Sequence, residues 1–321
     1  MSERESTDAL RSARIVFIEC MNAGRDERVL IVTDTEKRAI GETFFAGAVE
    51  LGLSAALLVM LPTGTHGAEP PDNVAAAMKH SDVVLCPTAF SMTHTRARKE
   101  ACEAGARVAT MPNIAAEMLD GGALTADYGE VARLSDAAAA KLSAAQSAKL
   151  ITGGRTLEMS ISGRTAISSN GHYHAPGSGG NLPTGEAYIA PQEGSANGVL
   201  VVDGSIAGLG TVSGPLEITI ENGYAVRFEG PDAERLQQAL GPSRAARNVA
   251  ELGIGTNDKA RLWGNVLEDE KVYGTVHLAF GSNATFGGTV SAGVHIDCVA
   301  TRPELYLDGR QVVKDGRLEI G

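Results

Sequence analysis

Apolar residues are spaced in two different ways along this chain. Up to about Leu150, short continuous apolar runs alternate with longer amphipathic ones. Residues 29–33, 55–60, 83–86 and 107–110 have the length and unbroken apolar character of buried strands. Between them, residues 36–52, 72–80 and 95–104 carry helical spacing. Strands that alternate with helices need crossover connections, which give a mainly parallel sheet with helices on its faces. The alanine-rich stretch 135–149 predicts one further helix.

Beyond it, period-two runs dominate: 157–161, 198–202, 216–220, 224–228, 272–279, 294–299 and 304–307. Glu221-Asn222-Gly223, Asp308-Gly309 and Asp315-Gly316 are hairpin-turn signals, and residues 232–240 predict a single helix. The change of pattern sets a boundary near residues 151–154. It predicts an α/β domain with a mainly parallel sheet over 1–152, followed by an α+β, β-rich domain over 153–321, the part that also carries the candidate metal-binding residues. No internal repeat is visible.

Composition narrows the classes of function. A formal net charge of −11, with no dense Lys/Arg run, argues against a nucleic acid or an anionic membrane as partner, because both need a basic footprint. A small molecule or short peptide is the expected substrate. Cys20, Cys86, Cys102 and Cys298 have neither CxxC spacing nor the density of a disulfide scaffold, which predicts reduced thiols in a cytoplasmic protein. Residues 1–12 lack the apolar core of a signal peptide, and no apolar run approaches the roughly 20 residues of a membrane span.

The candidate chemistry lies near the C-terminus. In Val294-His295-Ile296-Asp297-Cys298, apolar and polar positions alternate as in a strand, so His295 and Asp297 share a face. Alone, such a pair reads as a solvated strand face. His277, however, lies in the apolar run 274–280, just before the glycine-punctuated loop 281–288. Pairing of the two strands across that loop would join two imidazoles to one carboxylate. That set suits a facial-triad iron site or half of a two-metal hydrolase site, and spacing leaves both open. Glu186 and Glu251 are carboxylates beside glycines, where side chains can converge on an ion; taken singly, each reads as an exposed turn glutamate.

His94 follows a strand end and precedes the helix near Thr95, the region where open α/β sheets bind ligands. It is a candidate catalytic or substrate contact, with helix capping as the bland alternative. His172 and His174 sit on the loop 170–180, which its glycines and Pro176 predict to be mobile and solvated. Glu268-Asp269-Glu270-Lys271 reads as a solvated turn, and His66 and His80 as surface positions. Gly208-Leu209-Gly210 lacks the strand-to-helix context of a nucleotide loop, and neither a Walker sequence nor a Gly-x-Ser-x-Gly elbow is present.

The segments NLPTGEAYIAP, ELGIGTN, HLAFG and HID, in that order, resemble the metal-binding segments of the thermophilic-type metalloaminopeptidases, the aminopeptidase T and S family. The resemblance spans most of the second domain and, more loosely, the first through SMTHTRAR. It implies a pair of divalent metals (Zn, Co or Mn) on Glu186, Glu251, His277, His295 and Asp297, with Glu186 or Glu251 moving the proton. It also implies a homodimer. The family has a catalytic tyrosine seven positions beyond the histidine of the third segment, and here that place is Ala284. Tyr188, Tyr273 or His94 would have to replace it.

A second, similar group is the dihydroxypyridine ring-cleaving dioxygenases, which use one iron held by two His and one Asp. That resemblance implies a single Fe(II) on His277, His295 and Asp297, with Glu186 and His94 against the substrate. Ala284 favours one iron, while Glu251 favours two metals. The leading expectation is a metal-dependent, aminopeptidase-like hydrolase cleaving the N-terminal amide of small peptides. The Fe(II) dioxygenase is the alternative, and an inactive metal-binding module is the third.

Overall fold

In the computed structural model, which describes residues 10–320, the first apolar run forms β1 (Arg28–Asp34), buried at every position after Arg28. Most of the expectation for residues 1–12 falls outside the described residues. Strand β1 lies inside a five-stranded sheet with β2 (Ser54–Met60) on one side. On the other side follow β3 (Val83–Thr88), β4 (Arg107–Pro112) and β5 (Gly179–Asn181). Every pairing is parallel, as the strand–helix alternation requires. The crossovers carry α1 (Arg38–Glu50), α2 (Asp72–Lys79) and α3 (Arg96–Glu103). Both faces are covered over the inner strands, while the edge strand β2, which its apolar run predicts to be buried, is mostly half-buried or exposed. Leu30 and Val32 pack with Val74 and Met78 of α2 and Ala97 and Ala101 of α3, while Phe44 of α1 meets Phe17 edge to face. Helix α1 starts later than its pattern suggests because Asp34 accepts the backbone N–H groups of Glu36 and Lys37, at 3.0 Å each, and holds them in a turn.

The described chain divides into two compact units. One runs to Glu130 and includes Gly171–Thr184; the other comprises Val131–Asn170 and the residues from Gly185 onward. This departs from the expected division at 152/153, and strand pairing gives the reason. The helix expected over 135–149 is α4 (Tyr128–Ala144), and Ser147–Thr152 is a strand instead. Ala148 and Leu150 of that strand are buried while Ser147 and Lys149 are exposed, so alternation prevails over alanine propensity. The strand turns through Gly153 and Gly154, both at positive φ, to pair with Arg155–Ser160, and its other edge pairs with Glu304–Leu307.

The second unit contains two antiparallel sheets. In the eight-stranded one, Asn222-Gly223, Asp308-Gly309 and Asp315-Gly316 all take positive φ at both residues, the geometry these pairs predict for tight hairpins. The seven-stranded sheet contains β6 (Glu186–Ile189), β7 (Val249–Gly255), β8 (Val276–Gly281) and β9 (His295–Ala300) as consecutive neighbours. The regions around Glu186 and Glu251 are therefore buried strands, not exposed turns. Strand β8 begins later than the expected 272 because residues 272–275 close a turn, with Thr275 N–H donating to Val272 O at 3.1 Å and Gly274 at φ 79°. Leu252, Ile254, Leu278, Phe280, Ile296 and Cys298 point into an apolar core shared with Leu157, Leu200 and Ile218 of the other sheet and Leu236 of α5 (Ala233–Leu240). Side chains alternate along a strand, so residues 251, 253, 277, 295 and 297 face the opposite way. No helix among the described residues is long and apolar enough to cross a membrane.

Candidate metal centre

The strand register brings the predicted ligands to one sheet face. Across β7 and β8, Gly253 pairs with His277 and Glu251 with Ala279; across β8 and β9, Ala279 pairs with Asp297 and Gly281 with His295. Glu186 of β6 stands opposite Gly255 of β7. A Cβ on Gly253 would lie 1.9 Å from His277 Nε2, so only glycine leaves room for the imidazole across the neighbouring strand. Glu186, Glu251, His277 and Asp297 are buried, and His295, with 31% of its side chain exposed, opens the cluster to solvent.

Glu251 lies between the two imidazoles. Its Oε1 is 3.2 Å from His277 Nε2, and its Oε2 is 3.4 Å from His295 Nε2. Glu186 Oε2 approaches His277 Nε2 at 3.4 Å, and Asp297 Oδ1 approaches His295 Nε2 at the same distance. The donor atoms form two groups, each within 4.8 Å: Glu186, Glu251 and His277, and Glu251, His295 and Asp297. The anticipated triad of His277, His295 and Asp297 is thus divided between them, with Glu251 common to both. His295 Nδ1 lies 2.8 Å from Ser282 O, which can only accept. The Nδ1 proton is thereby fixed, and in the neutral ring Nε2 presents its lone pair to the carboxylates.

One participant was misread in the sequence. Lys271, expected in a solvated turn, is 1% exposed, and its Nζ lies 2.7 Å from Glu186 Oε1, with Glu270 Oε1 on its other side. Glu268 and Asp269 are buried as well. Asn265 caps the short helix Val266–Asp269 by accepting Leu267 N–H, and this directs Glu268 to Trp263 Nε1 at 2.7 Å and Asp269 to the Trp263 and Gly264 N–H groups. The only signal for this was an acid–lysine run placed immediately before the His277 strand.

The electrostatics call for a cation. Burial opposes charge on His277, but the Glu251 hydrogen bond and the Glu186 and Glu251 charges outweigh it and raise its pKa to about 9. Burial of His295 is likewise outweighed, by Asp297 and Glu251, and its pKa rises well above the usual value. Burial raises Glu270 to about 8 even beside Lys271. With Glu270 still protonated below that raised value, the carboxylates of Glu186, Glu251 and Asp297 outnumber the one buried ammonium, Lys271, when both imidazoles are neutral. Such a buried excess is costly without a counter-cation. Glu186 Oε2 has no hydrogen-bond partner, and imidazole nitrogens with carboxylate oxygens are the donors that first-row divalent ions take. The residues fit a metal ion.

Other candidates take different positions. His94 belongs to the first unit, exposed in the turn before α3, and the helix cap is Thr95, whose hydroxyl accepts Arg98 N–H at 3.2 Å. The loop carrying His172 and His174 is anchored, not loose. Tyr173 is buried and donates to Asn181 O at 2.8 Å, the two imidazoles stack at 4.7 Å, and His174 Nε2 meets Glu19 O at 2.7 Å. His66 and His80 are exposed, as expected. Ala284 is exposed in the β8–β9 loop and supplies no phenol. Two positions on, Phe286 sets its ring edge-to-face against both Tyr188, at 5.5 Å, and His295, at 5.7 Å. Phe286 also lines a cavity of about 760 Å³ with Arg164, Gln192 and Glu193. Buried Asn283 holds this loop: its Oδ1 accepts Val290 N–H at 2.9 Å, and its Nδ2 donates to Glu193 Oε1 at 3.1 Å. Glu193 also accepts Thr289 N–H at 2.8 Å and pairs with Arg164.

Solved structures share this architecture. The structure of 2,5-dihydroxypyridine dioxygenase from Pseudomonas putida KT2440 matches with a TM-score of 0.81 at 17% identity, covering 98% of this chain and 97% of that one. Wild-type AmpT, an aminopeptidase T from Thermus thermophilus, matches with a TM-score of 0.71 at 17% identity, covering 98% and 99%. At such identity the likeness is one of fold. None of the curated proteins matches the sequence. Both family resemblances, to the aminopeptidase T group and to the dihydroxypyridine dioxygenases, are borne out. The family model NicX, 2,5-dihydroxypyridine 5,6-dioxygenase, matches residues 14–320, and the chain belongs to that family.

Proposed function

We propose that this chain is an Fe(II)-dependent dioxygenase that opens the ring of a dihydroxylated N-heteroaromatic of the 2,5-dihydroxypyridine kind. The family match over residues 14–320 carries the reading. Ala284 supports it, because amide hydrolysis at this site would lack the phenol that the peptidases place there, whereas oxygen chemistry does not use one. His277, His295 and Asp297 would hold the ion, the two-histidine, one-carboxylate set of non-haem iron oxygenases. When bound, iron supplies the one-electron chemistry that lets dioxygen react with an electron-rich ring. The remaining tasks fall to the chain. The Ser282 carbonyl fixes the His295 ring, Phe286 and Tyr188 offer an aromatic wall for a flat heterocycle, and Glu251 is placed to accept a ring-hydroxyl proton.

A second reading, the aminopeptidase-like hydrolase, draws support from Glu251 being common to two donor groups, as a bridging ligand between two metals would be. One preparation tests both. Loaded anaerobically with Fe(II), it should consume oxygen and 2,5-dihydroxypyridine together, and lose that activity when zinc replaces iron, which zinc's lack of redox chemistry requires. With zinc or cobalt it should hydrolyse a leucine anilide poorly, since one missing transition-state hydrogen bond costs roughly 10²–10³ in rate. Brisk, oxygen-independent anilide hydrolysis would overturn the dioxygenase reading.

A further inference from the structure

We infer that Lys271 is an internal counter-cation that takes up one oxygen of Glu186 and holds this centre to one divalent ion. The inference rests on the reading of these residues as a metal centre and adds what sets its stoichiometry. Two donor groups joined by Glu251 provide, by their number, for two ions. Beside one of them a positive charge is already in place. The Lys271 ammonium is 2.7 Å from Glu186 Oε1 and is held on its other side by Glu270, so it is fixed between two carboxylates with no access to water. A second divalent ion taken up through Glu186 would lie one carboxyl group away from this buried charge and be repelled by it.

The charge balance leads to the same result. Glu186, Glu251 and Asp297 set against the ammonium leave two negative charges, Glu270 staying protonated below its raised pKa. One divalent ion cancels them, while two would leave a buried double positive charge with nothing to offset it. Without the ammonium, the three ionised carboxylates carry one more negative charge, which only a further cation can offset. Lys271 therefore does in this chain what a second metal would otherwise do. The lysine stem carries its ammonium to within 2.7 Å of Glu186 Oε1, whereas Glu270 alone would supply no positive charge.

The test is a count of bound metal. Chelator-treated wild type, Lys271→Met and Lys271→Gln, the last of which keeps hydrogen-bond donors near Glu186 and Glu270, are dialysed against Co(II) and then analysed for metal per chain. Wild type should hold one equivalent and both neutral variants two, with the added cobalt changing the visible absorption spectrum. Wild type holding two equivalents overturns the inference whatever the variants do, and so does a folded neutral variant that still holds one. The count does not depend on turnover. Failure of ring cleavage with the predicted stoichiometry would remove the dioxygenase reading alone, and a correct oxygen assay with unchanged stoichiometry would remove this inference alone.

Discussion

Gly253 acts by having no side chain. It gives the His277 imidazole the space above β7, and a methyl group there would come within 1.9 Å of Nε2. Gly253→Ala should turn that ring away, lowering metal affinity at least about tenfold and destabilising the fold by roughly 1–3 kcal/mol, the usual cost of overpacking. Metal titration and thermal melting on the same variant separate the two effects. If the alanine protein binds metal like wild type, His277 does not need its present position and its role as a ligand falls. His295 depends instead on a hydrogen bond, because the Ser282 carbonyl selects which nitrogen faces the carboxylates.

At the scale of elements, the β8–β9 loop is braced from outside itself. Glu193 receives Asn283 and Thr289 from the loop and is paired with Arg164, and the loop in turn carries Phe286 against His295. Glu193→Ala should lower stability by about 1–3 kcal/mol, since it leaves a mostly buried guanidinium and loop donors unpaired. If Phe286 is part of the substrate wall, KM for the heterocycle should rise more than kcat falls. A lower melting temperature with KM unchanged would mean that the brace serves stability alone. The elements legible in the sequence were those with local signatures. Alternation gave the strands of the second unit, paired Asn/Asp-Gly gave the hairpins, and His295 with Asp297 could be placed on one face by counting. Glu186 and Glu251, taken singly, read as turn glutamates because the glycines beside them look like punctuation, when Gly253 leaves clearance for His277 on β8 and Gly255 for the Val272 carbonyl and Thr275 hydroxyl in the turn before it. Lys271 was illegible for a similar reason. A buried charge is tolerated only through its partner, and Glu186 lies 85 residues away. Alanine propensity predicts helix through 145–149 because it is local, whereas the pairing of Ser147–Thr152 with Glu304–Leu307 is not.

For the whole molecule, the cluster links stability to metal and to pH. Removing the metal should lower the melting temperature by an amount that grows with the logarithm of metal concentration over Kd. The metal-free protein should also become less stable as pH rises. His277 is raised from the ordinary 6.5 to about 9, so its contribution is complete below about 6.5 and lost as pH climbs through about 9. Glu270, lifted to about 8, acts in the same direction, because its carboxyl must ionise in a buried place as pH rises through that value. Melting curves between pH 6.5 and 9, with and without metal, check this. A metal-free protein whose melting temperature is flat or rises over that interval would refute it.

The interleaving of the two units also bears on synthesis at the ribosome. The edge strand β5 (Gly179–Asn181) completes the first sheet, yet it is made after Val131–Asn170, which belong to the second unit. Until residue 181 has emerged, the outer edge of β4 has no partner, and nascent segments of both units are exposed together. A chain that folds in this order cannot finish its N-terminal unit first, as domains in a simple series do. The unpaired β4 edge is then a place where a neighbouring nascent chain can add a strand.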